Sequence, residues 1–95
     1  VPADELPPEG INEELLPKAV LAARDHLGRE LEEAKWLVVV LSFEEANWPN
    51  SCLGLGGADS VCAQVITPGY RVNLWAEDET FIYRTDEEGR VILRE

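Results

Sequence analysis

Apolar residues recur at helical spacing in one stretch of the chain. Leu16, Val20, Ala23 and Leu27 form a stripe, with Leu15, Ala19 and Ala22 beside it. Asn12 offers an N-cap, and Glu13 and Glu14 follow where a helix N-terminus favours negative charge. Pro17 is deep for a first turn, which predicts a bend or a helix that starts near Leu16. Gly28 is a natural residue to end it. Before this helix, residues 1–11 hold Pro2, Pro7, Pro8 and Gly10 among acidic side chains and read as an extended leader.

After a charged stretch at 29–35, readable as a loop or a weak helical extension, the pattern changes period. Residues 36–43 are almost continuously apolar and rich in Val, which predicts a central strand with Leu37, Val39, Leu41 and Phe43 on one face. The helix stripe is expected to pack on that face. Residues 48–60 carry Pro49, Gly54, Gly56 and Gly57 and read as a loop. Further strands are expected at 61–66, 70–76, 80–85 and 90–94. Thr67-Pro68-Gly69 has the order of a type II turn, and the acidic runs at 77–79 and 86–89 serve as hairpin connections. The fold class is therefore α+β: one N-terminal helix packed on an antiparallel β-meander of four to five strands, in a single domain over residues 12–95.

Charge narrows the partners. Nineteen acidic against eight basic residues give a net charge of −11 in a chain of 95 residues. Such a balance repels phosphate backbones and anionic lipid, so no nucleic acid partner is expected. No apolar run approaches the ~20 residues of a bilayer span, so no membrane insertion is expected either. The chain begins at Val1 and contains no Met, so a trimmed product is expected, with any signal peptide or lipid anchor already removed.

Two central segments carry a resemblance. Trp48-Pro49-Asn50-Ser51-Cys52-Leu53-Gly54, followed by Ala63-Gln64-Val65-Ile66-Thr67-Pro68-Gly69-Tyr70-Arg71-Val72, resembles a family of small uncharacterised bacterial domains. The family pattern reads W-P-D-x-S-L-G-C-P-x-P-G, then A-Q-V-x-T-P-G-Y-R-I, and later Y-x-Y-H-T-D, which matches residues 81–86. Many of its members are borne on exported proteins and lipoproteins. The resemblance implies an exported compartment and an architecture, without a reaction. This chain departs from the pattern where the chemistry would sit. The family's Cys falls on Leu55, its following prolines on Gly56 and Ala58, and its His on Arg84. Roles tied to that Cys or His do not carry over.

The remaining candidates are few. Cys52 and Cys62 flank the glycine loop, and a bridge between them would limit its entropy by roughly 2–3 kcal/mol. The exported character implied by the resemblance favours the bridge, with Trp48 packed over the loop base; the alternative is two unpaired thiols. His26, the single histidine, stands near the helix C-terminus and reads as a capping contributor, too far from the loop to form a dyad with Ser51 or Cys52. Leu53-Gly54-Leu55-Gly56-Gly57 precedes no helix pattern and no Lys, so it does not read as a phosphate loop, and no cofactor or metal is expected. In a meander the Glu77 turn would share its end with the 50–59 loop, where a weak Ca²⁺ site is conceivable. The Asp86 turn would share its end with Glu30, Glu32 and Glu33.

Gln64, Arg71, Asn73, Trp75 and Arg84 compose the best candidate binding face, and Trp48, Asn50, Ser51 and Leu53 a candidate binding loop. The expected function is a non-catalytic exported domain that binds another protein, as a monomer or weak dimer. A helix on a curved antiparallel sheet is also the layout of cystatin-like and PepSY-type domains, which makes peptidase inhibition or regulation the alternative. A small hydrolase is disfavoured, because a nucleophile–base pair or metal cluster is missing.

Overall fold

The computed structural model describes residues 10–32, 37–56 and 61–95. Expectations for the leader at 1–9, for Glu33 and Trp36, and for loop residues 57–60 lie outside that range. A 3₁₀ turn (Glu13–Leu15) is followed by α1 (Lys18–Leu31), β1 (Val39–Trp48), β2 (Thr67–Ala76), β3 (Glu79–Asp86) and β4 (Ile92–Arg94). The four strands form one sheet in the order β1-β2-β3-β4, with every neighbouring pair antiparallel. This is the expected α+β layout of one helix on a meander.

Local chemistry explains the helix boundaries. Asn12 caps the 3₁₀ turn, its side-chain oxygen accepting the Glu14 N–H at 3.1 Å. Pro17 is extended and stands at the N-cap, so α1 begins at Lys18 and the expected bend is real. Gly28 does not end the helix. It is buried within α1, which continues until Leu31 joins the core edge and Glu32 turns left-handed at φ 56°. Another apolar turn outweighs the stop signal of one glycine.

Leu16, Val20, Ala23 and Leu27 all reach the core, as their spacing predicts. Leu15, expected beside them, is exposed. The strand face they meet is not the expected one. Val38 and Val40 are buried, whereas Leu37 is exposed and Val39 and Leu41 lie outside the core cluster. A bulge between Val40 and Ser42 leaves Leu41 unpaired and shifts the alternation, so Val40 and Phe43 both point toward the helix. Val72, Leu74, Ala76 and Tyr83 complete that layer from β2 and β3.

The largest correction concerns residues 61–66, which form no strand. β2 begins directly at Thr67 and pairs with β1, Trp48 opposite Thr67 and Asn47 opposite Pro68. Thr67-Pro68-Gly69 is thus a strand end, not a turn. Pro68 is tolerated because β3 stops at Asp86, opposite Gly69, so no third strand asks for its missing N–H. Gly69 is required because a Cβ there would run into the Thr85 carbonyl.

With one strand fewer, the ends of the sheet exchange. The loop after β1 shares its end with the Asp86 turn, and the Glu77–Asp78 hairpin lies at the opposite end. The Asp86 turn also meets the start of α1 rather than Glu30 and Glu32. Lys18 lies 3.6 Å from Glu88, and Gly89 packs on Ala19 and Ala22.

Candidate functional site

Alternation along β2 and β3 sends Arg71, Asn73 and Trp75 to the sheet face opposite the helix, with Ile82 and Arg84 across from them. Four of the five residues expected on one face are therefore together. Gln64 is not with them, because it lies in the irregular 61–66 segment and is exposed. Arg71 and Arg84 are directly opposite one another, a repulsive arrangement for two cations. Glu95 bridges the two and offsets part of the repulsion. Its carboxylate accepts from Arg71 Nε at 2.9 Å, Arg71 Nη2 at 3.2 Å and Arg84 Nε at 2.9 Å. These charge-assisted bonds hold the Glu95 carboxyl down at about 2, well below its ordinary 4.5. Asn73 donates to Ser42 Oγ at 2.7 Å, and Trp75 stands partly buried opposite Val39 and Thr80.

The loop residues are committed to the loop itself. Trp48 is buried at the end of β1, donating from Nε1 to the Thr85 carbonyl at 2.9 Å. The Arg84 guanidinium covers its ring at 4.6 Å and also donates to the Leu53 carbonyl at 2.8 Å. Leu53 is fully buried, at a positive φ of 56°. Asn50 Oδ1 accepts from the backbone N–H of Cys52 and of Gly54, fixing a tight turn. Ser51 exchanges two bonds with Ala63, its N–H to the carbonyl and its Oγ accepting the Ala63 N–H at 2.7 Å. Cys52 and Cys62 are bridged, with Cα atoms 5.5 Å apart. Arg84 thus links the loop to the sheet, and the segment read as a binding loop is held by its own polar groups.

Among the described loop residues, three large apolar side chains stand in solvent. Val61 is fully exposed, Val65 56% and Ile66 69%. The signal was visible as a run of β-branched residues, read as a strand because strand and exposed extended segment share that composition.

Elsewhere, His26 Nε2 lies 2.6 Å from Glu30 Oε1, and its ring meets Tyr83 edge-on. Burial, reinforced by the Glu30 charge, pushes the Tyr83 phenol above its ordinary pKa. Among the described residues no cluster of His, Cys, Asp and Glu could hold a metal ion, and no helix is long and apolar enough to cross a membrane. An open cavity of about 370 Å³ lies on the helix-facing side of the sheet, lined by Glu45, Asn47, Tyr70 and Glu87. Sequence reading missed it, because the expected strand ended at residue 43, whereas β1 runs on to Trp48 and carries Glu45 and Asn47 within it.

The family model described as Domain of unknown function (DUF8738) matches residues 20–94, so the chain belongs to that family. No curated protein and no solved structure gives a significant match to the chain.

Proposed function

We propose that this member of the DUF8738 family is a non-catalytic protein-binding domain of an exported protein. The observation that carries the reading is the apolar segment at 61–66, where Val61, Val65 and Ile66 stand exposed beside the disulfide. Exposed apolar side chains gathered on one pinned segment favour a partner surface over solvent. Pinning matters as much as exposure. The Cys52–Cys62 bridge and the Ser51–Ala63 pair hold one end and β2 the other, so less chain entropy is lost on docking. Among the described loop residues the side chains suited to covalent chemistry are engaged already, both cysteines with each other and Ser51 with Ala63. A disulfide also suits an oxidising compartment outside the cytosol.

The test is affinity capture from the exported fraction of the source cells, comparing the parent with a Val65→Asp, Ile66→Asp variant. Both positions are exposed, so the variant should melt within a few degrees of the parent. A protein held by the parent and lost by the variant is the expected result. Equal retention by both, or retention by neither, overturns the reading. If the captured protein is a peptidase, adding the domain in excess should lower its turnover, which is the inhibitory form of the same function.

A further inference from the structure

β1 is an edge strand, and among the described residues most of its outer edge has no backbone partner. The beginning is covered by Ile11, whose N–H donates to the Val40 carbonyl at 3.1 Å. Beyond the bulge, residues 42–48 pair with β2 on one side and, among the described residues, with nothing on the other. At about 3.4 Å per residue, that stretch leaves an open ladder on the order of 20 Å long. Unpaired N–H and C=O groups in such a row are a template for another strand.

The cavity beside this edge says which kind of strand. Phe43 and Tyr70 meet ring to ring on the core side, which places Glu45 and Tyr70 on that same side. Glu87 of the β3–β4 turn lines the same cavity. Neither Glu45 nor Glu87 has an ion-pair partner among the described residues. On the opposite face of the same strand, Glu44 makes only a long 4.0 Å contact with Arg71. A second copy of the chain would bring its own Glu44 and Glu45 against these in an antiparallel pair, on a molecule of charge −11. A segment carrying Lys or Arg meets attraction instead, and its long side chain can cross β1 into the cavity.

We propose that the outer edge of β1 at residues 42–48 takes an extended, basic segment of a partner protein by strand addition. A Lys or Arg side chain of that segment is seated between Glu45, Tyr70 and Glu87. Backbone bonds to residues 42–48 supply the affinity, and the cation, against two carboxylates and a phenol ring, supplies the choice of partner. The surface is separate from the exposed segment at 61–66, so this inference stands or falls independently of the reading above.

The probe is a synthetic heptapeptide in which Lys alternates with Thr and Val. One control carries Glu in place of Lys, and a second carries N-methyl groups on the backbone. The peptides are titrated into the intact domain and followed by amide chemical shifts and hydrogen exchange. The Lys peptide should bind, slow amide exchange along 42–48, and weaken as salt is added. Both controls should fail to bind. A Glu45→Gln, Glu87→Gln variant with unchanged melting temperature should bind the Lys peptide roughly fivefold more weakly. Absence of binding overturns the proposal, as do equal binding of the Lys and Glu peptides, shifts confined to β4 or to 61–66, or unchanged affinity in the variant. Concentration-dependent dimerisation that protects 42–48 overturns it too, because the occupant would then be a second copy.

Discussion

Thr85 is fully buried, and among the described residues its hydroxyl has no hydrogen-bond partner. Its carbonyl, by contrast, is well used, accepting the Trp48 indole N–H. The backbone at this position therefore serves the loop, and the side chain contributes mainly its methyl group. An unpaired buried hydroxyl is destabilising by about 1–3 kcal/mol relative to an apolar group of the same shape. Thr85→Val keeps the shape and the Trp48 contact while removing the orphan oxygen. Its melting temperature should rise by several degrees in a thermal scan. A fall would mean that the hydroxyl is bonded in solution. Gly69 shows the opposite constraint a strand away. The same Thr85 carbonyl occupies the space a Cβ would need, so only glycine lets β2 pass there.

Elements record why reading the chain succeeded for the helix and slipped on the strands. The helix stripe was legible because Leu16, Val20, Ala23 and Leu27 repeat over three turns, and one stop signal at Gly28 could not offset the next apolar residue, Leu31. In β1 the run at 37–41 is apolar on both faces, so its pattern carries no phase, and a bulge of one residue decides which half is buried. Residues 61–66 have strand composition, but among the described residues no strand pairs with them, and composition does not encode strand pairing. For the candidate site, alternation placed Arg71, Asn73, Trp75 and Arg84 on one face correctly. Glu95, which joins the two arginines, was illegible because the contact spans 24 residues. The loop is the element on which a firm test is possible. Its bridge closes a segment of 10 residues, for which chain entropy gives roughly 2–3 kcal/mol. The intact protein should have a mass two units below its reduced value, and reductant should lower its unfolding free energy by about that amount. Alkylation of both thiols without reductant, or an unchanged denaturation midpoint, would refute the assignment.

For the whole molecule, acid acts in two opposing directions. With a net charge of −11, protonating carboxylates relieves self-repulsion and so favours the folded state as pH falls. Glu95 opposes this trend. Its folded carboxyl is depressed to about 2 from an ordinary 4.5, so the folded state gains from its ionised form. That gain is present in full above the unfolded value, and it is lost as pH falls from about 4.5 to about 2. Arg71, Arg84 and, through Arg84, the loop and Trp48 all depend on it. The total pH profile mixes both effects, but the difference between the parent and a Glu95→Gln variant isolates the second. Near neutrality the variant, which leaves two opposed arginines short of a charge, should melt a few degrees below the parent. The gap should narrow steadily between pH 4.5 and 2, because the parent loses the charge that the variant never had. Added salt should narrow it as well, since the carboxylate keeps 22% of its side-chain surface in water. A gap that stays constant across the acid range would show that Glu95 is not the charge that closes the sheet face, and would return Arg71 and Arg84 to solvent.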